Sequence, residues 1–115
     1  MSETSPLVAA SKVNGTKVYN RAGEALGSID DLMIDKQSGH ITYAVMSFGG
    51  FLGMGEKYYP VPWSELTHST AQDGYVLNLD KRILENAPSY STPNAPDWSS
   101  PTYRSGIDEY YHSRH

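Results

Sequence analysis

Apolar residues come in short runs separated by glycine, proline and Asx turns, a spacing that predicts strands more than helices. "TKVYN" (16–20) is a short strand closed by a turn through Asn20 and Gly23. "EALGSIDDLMID" (24–35) is a longer one, with Ile29, Asp31 and Met33 expected on one side and Leu32 and Ile34 on the other. Leu26 and Ile29 break strict alternation beside Gly27, as a β-bulge would, and bulges bend strands around small barrels. After a turn over 35–39 in which Gly39 can take positive φ, "HITYAVMSFG" (40–49) is apolar on both faces. Ile41, Tyr43 and Val45 lie against Ala44, Met46 and Phe48, which predicts a central strand.

"EKYYPVPW" (56–63) predicts an edge strand, because Pro60 and Pro62 cannot donate to a ladder. "WSEL" (63–66) suits a single helical or 3₁₀ turn, and "AQDGYVLNL" (71–79) a D-G turn followed by a strand with Tyr75, Leu77 and Leu79 on one face. "DKRILENAP" (80–88) allows one or two helical turns before Pro88 ends them. Five or so short strands with turns at regular intervals predict an all-β barrel or sandwich.

The pattern changes near residue 87. Residues 87–115 hold four of the seven prolines and many serines, and are expected to be a tail following a barrel at 11–86 and a flexible start at 1–10. This tail also carries Trp98 and four tyrosines, more than a solubilising segment needs. Residues 107–114 predict a short helix with Ile107, Tyr110 and Tyr111 on one side. So short a helix is unstable alone and must dock if it forms. Three states are open: a disordered tail, a strap on its own barrel, or an arm to a second copy, which makes a homodimer one expectation.

Charge and composition narrow the function classes. A net charge of −4 argues against direct nucleic-acid binding, which needs a basic stripe. No cysteine is present, so thiol chemistry and thiolate zinc sites are excluded. The opening MSETSPLVAASK lacks a basic-then-apolar leader pattern, and no apolar run is long enough to span a bilayer, so a cytoplasmic protein is expected.

The glycine-rich segment "GGFLGMGEK" raises the question of a phosphate loop. Gly50 and Gly55 have the required spacing, but Glu56 stands where the lysine belongs, and neither serine nor threonine follows Lys57. A proline-bearing strand follows instead of a helix whose N-terminus would hold phosphate. The segment is therefore expected to be a wide hairpin loop with Phe51, Leu52 and Met54 at its tip, folded back over the barrel or presented to a partner. Glu24, Asp30, Asp31 and Asp35 lack calcium-loop spacing and are expected to form a solvated face. His112 and His115 lack a third ligand. No serine sits in a nucleophile elbow. No catalytic residue, cofactor or metal site is expected.

The opening "G-x-x-V-Y-N-x-x-G-E-x-L-G-x-I-x-D" (Gly15 to Asp31), the "D-x-x-x-G-x-I-x-Y-A-V" pair (Asp35 to Val45), the "GGFLGMGEKYYPVPW" hairpin (Gly49 to Trp63) and "ENAPSY" (Glu85 to Tyr90) together resemble the stand-alone bacterial PRC-barrel domain. The resemblance implies a small six-stranded β-barrel. Similar domains form the cytoplasmic part of the photosynthetic reaction-centre H subunit and the C-terminal half of a ribosome maturation factor, as platforms for protein contact. It supplies no catalytic residue. The expected function is a non-catalytic interaction or scaffold module for an unidentified protein partner. Its contact residues are expected to be Phe51, Leu52, Met54, Tyr58, Trp63, Trp98, Tyr110 and Tyr111, because aromatic anchors dominate binding hot spots. An assembly factor acting at the ribosome or in RNA processing through a protein is the alternative, and a small-ligand barrel the weaker one.

Overall fold

A computed structural model describes residues 7–48, 57–91 and 96–113. Six strands form one curled sheet, a half-barrel: β1 (Lys17–Tyr19), β2 (Ala25–Ile34), β3 (Ile41–Phe48), β4 (Lys57–Pro62), β5 (Leu66–Ser69) and β6 (Gly74–Leu77). Their order is β4-β3-β2-β1-β6-β5. Every pairing is antiparallel except β1 with β6. Among the described residues three helices accompany them: α1 (Ala10–Val13), α2 (Lys81–Glu85) and α3 (Pro101–Ser113).

The first hairpin is organised by Asn20, a buried polar side chain. Its carbonyl accepts from the Ala22 and Glu24 N–H groups at 3.0 and 2.9 Å, and its amide donates to the Glu24 carboxylate at 2.9 Å. Gly23 supplies the positive φ the turn needs. The next turn uses Asp35, whose carboxylate accepts from the Gln37 and Ser38 N–H groups. Those backbone bonds hold its pKa below the ordinary carboxylate value.

A bulge beside Gly27 is present: Val18 pairs with Gly27 and Tyr19 with Ala25, so Leu26 is the extra residue. A second irregularity corrects the expected facing of β2. Ile29 pairs with Met46 and Asp31 with Val45, so Asp30 is skipped. The slip puts Ile29 and Leu32 on one face and Asp31 and Met33 on the other, because one extra residue inverts the alternation that follows.

Leu26, Ile29, Met46, Val61 and Leu77, from four strands, meet in the core. Val13 of α1 closes one end, and Leu84 of α2 with Ala87 closes another. The 3₁₀ turn Trp63–Glu65 follows β4, and Tyr75, Leu77 and Leu79 are all buried, as their alternation implies. Two elements lie outside the sequence reading, α1 and β5. A third is longer than expected: the C-terminal helix begins at Pro101, not 107, with proline in its first turn where no amide partner is needed.

Candidate interaction surfaces

β3 is buried on both faces, and two different coverings explain it. Ala44 and Met46 pair with Val61 and Tyr59 on the inner face. Tyr43, Val45 and Ser47 share the other face with Pro62, Pro60 and Tyr58. The chain after β6 returns across this second face. Tyr58 and Tyr90 exchange two main-chain hydrogen bonds at 2.8 and 2.9 Å, which puts one extra bridge on the β4 edge.

The aromatic residues form a connected row over that face. Ring centroids lie 5.5 Å apart for Tyr58 and Tyr90, 6.2 Å for Tyr90 and Trp98, 6.0 Å for Trp98 and Tyr43, and 5.7 Å for Trp98 and Tyr103. α3 continues from this row along β4. Its Ile107 and Tyr111, one turn apart, are buried in the core, and Tyr110 is half-buried beside them.

Polar contacts fix the second half of the helix. The Tyr43 hydroxyl donates to the Asp108 carboxylate at 3.1 Å, and the Tyr110 hydroxyl donates to the Ile83 carbonyl at 2.5 Å. Burial, and then the Asp108 charge, push the Tyr43 phenol up to about 12. Burial also raises Tyr111 well above an ordinary phenol. The hydroxyls of Tyr103 and Tyr111 are both shut off from solvent with no hydrogen-bond partner among the described residues.

The expected contact residues therefore divide. Trp98, Tyr110 and Tyr111 are engaged by the protein's own barrel, and Tyr58 is part of the row they cap. Trp63 lies elsewhere, against Tyr75 at 5.4 Å, and Tyr75 in turn meets His68 at 5.2 Å. Phe51, Leu52 and Met54 lie outside the described residues.

A family model, the PRC-barrel domain, matches residues 6–83, more than half of the 115. The chain belongs to the PRC-barrel domain family. A comparison with curated proteins finds no match. All six strands of this PRC barrel lie within the matched span, whereas Tyr90, Trp98 and α3 lie beyond it. The strap thus lies outside the span that the family model matches.

The PRC barrel also carries a surface that sequence reasoning missed. An open groove of about 750 Å³ runs between the N-terminal segment and the β5–β6 hairpin, lined by Leu7, Val8, Lys12, Lys17, His68 and Tyr75 among others. Leu7 and Val8 are 81% and 61% exposed, the two most exposed large apolar side chains among the described residues. Two hydrogen bonds clamp the floor of this groove to the sheet, Gly15 N–H to the Ile29 carbonyl and Ile29 N–H to the Thr16 carbonyl. The missed signal was Val13, an apolar residue placed to plug a barrel end with α1. Among the described residues no cluster of histidine and acidic side chains has the makings of a metal site.

Proposed function

We propose that this PRC-barrel domain is a non-catalytic protein-interaction module. The observation that carries the reading is the N-terminal groove, where exposed Leu7 and Val8 stand beside Lys12 and Lys17. Apolar side chains supply binding energy when a partner covers them, and flanking cations orient an acidic partner. Lys12 and Lys17 outweigh Asp73 in the groove's lining, and a locally basic surface on a chain of net charge −4 favours an acidic protein segment over a nucleic acid. The apolar residues Phe51, Leu52 and Met54, singled out by the sequence, are the second contact point in this proposal.

The test is affinity capture of the tagged protein from its own lysate, with and without RNase, compared with two variants. One carries Leu7→Ser and Val8→Ser, the other Phe51→Ser and Leu52→Ser. The expected result is a small RNase-resistant set of proteins that one or both variants lose while melting like wild type. If both variants keep the full set, neither surface is the contact. Ribosomal proteins or precursor RNA in the captured set would point instead to an assembly factor.

A further inference from the structure

The groove filled by α3 shares features with a helix-docking site. Its two buried anchors, Ile107 and Tyr111, are one helical turn apart, the spacing by which an amphipathic helix is held in a groove. The fit is imperfect at two atoms. The Tyr111 side chain is 1% exposed, yet its hydroxyl has no acceptor among the described residues. The Tyr103 hydroxyl is in the same position. A buried donor without a partner loses its hydration and gains nothing in return. The helix is weak in a further respect. Gly106 sits in its middle at an exposed position with open space around it, so a better helix former would fit there.

We propose that α3 is a resident, exchangeable ligand, and that the groove it fills is a docking site for a partner's amphipathic helix. That helix carries a branched aliphatic residue in the place of Ile107 and phenylalanine in the place of Tyr111. Phenylalanine fills the same space and leaves no unpaired hydroxyl, so the groove discriminates in favour of the intruder and against its own strap. Release of the strap leaves the matched domain entire, because all six strands precede residue 83. This deepens the interaction-module reading, on which it rests, and adds the class of partner. Its test uses purified components, so its failure leaves the lysate result standing.

The probes are two labelled synthetic helices with the sequence of residues 101–113, one native and one with Tyr111→Phe. They are titrated by fluorescence polarisation into the full chain and into the full chain with Ile107→Ser, which loosens the resident strap. The folded Ile107→Ser chain is expected to bind the phenylalanine helix about tenfold tighter than the native one. The wild-type chain is expected to bind both at least about tenfold more weakly, because a tethered strap competes at high effective concentration. Absence of binding to the folded variant, or equal binding of the two helices, overturns the proposal.

If Ile107→Ser fails to fold, amide exchange in the wild-type chain decides. α3 amides exchanging about tenfold faster than those of β2 and β3 support a strap that opens while the sheet holds. Equal rates mean that strap and sheet open together, and the proposal falls.

Discussion

The two edges of the sheet are treated differently. β4 has Pro60 and Pro62 within it, a main-chain bridge from Tyr58 to Tyr90, an aromatic row on one face and α3 alongside. β5 ends the other side with four residues, of which Thr67 and His68 are exposed, and its only paired strand is β6 among the described residues. A long edge invites unwanted pairing and is usually blunted or covered, whereas a short polar one offers little to pair with. The longer edge is sealed by residues outside the family's span, and the shorter one is left to its own polarity.

The largest expected effect comes from breaking the seal. Ile107 is fully buried, and Ile107→Ala should cost about 3–4 kcal/mol, the range for a large-to-small change in a core. Urea denaturation at constant slope checks it. A loss below about 1 kcal/mol would mean that α3 contributes little to the fold.

The opposite side breaks at Gly74. A Cβ built there would collide with the Lys17 carbonyl of β1, so β6 reaches β1 only because residue 74 has no side chain. Gly74→Ala should cost about 2–3 kcal/mol through forced separation of the two strands. Amide exchange should rise first in β5 and β6 and leave α3 protected, which would show that the two edges fail separately.

Raising the pH should release the sealed edge. The Tyr43 phenol, at about 12, stands above the ordinary 10.0, so the native state holds this proton more tightly than the unfolded chain. Its stabilisation is complete below about 10 and is lost as pH rises through about 12. Tyr111 shifts the same way. Absorbance of the phenolate, followed together with helix circular dichroism, should show strap loss in that window. Asp108→Asn removes the carboxylate charge facing Tyr43 and should move the loss to lower pH, though not to an ordinary phenol's value, because burial is the larger cause. An unmoved transition would exclude Asp108 as a latch.

The sealed edge was half legible in the sequence. Pro60 and Pro62 marked β4 as an edge because proline cannot donate to a ladder. The two apolar faces of β3 and the surplus aromatics after residue 87 were each visible, but they are two halves of one contact. Nothing local joins Tyr43 to Trp98, which are distant in sequence and meet only when the chain returns. The skipped Asp30 was hidden because an acidic residue at a bulge and one on a solvated face look alike. β5 was missed because Leu66 is its only apolar residue, and its pairing depends on β6 more than on its own pattern. The N-terminal groove was missed because a four-residue helix carries almost no periodicity.

Two small changes sharpen the contrast. Gly106→Ala should stabilise the sealed side by about 0.5–1 kcal/mol, since the site is exposed, helical and open. The gain should appear in α3 exchange and not in β5 or β6. A loss of stability would mean that the strap needs the bend or freedom glycine gives.

His68→Ala should be the mildest of all, at about 0.5 kcal/mol, the scale of one cross-strand ring pair. His68 meets the Tyr75 ring edge-on at 5.2 Å, and Tyr75 is the residue that ties the open hairpin to Trp63. Because the imidazole is exposed, removing it opens no cavity and unpairs no strand. The same imidazole also lines the N-terminal groove. A variant with unchanged melting that captures fewer partners would locate the contact at the open side, and one that captures them all would move it along the groove toward Leu7 and Val8.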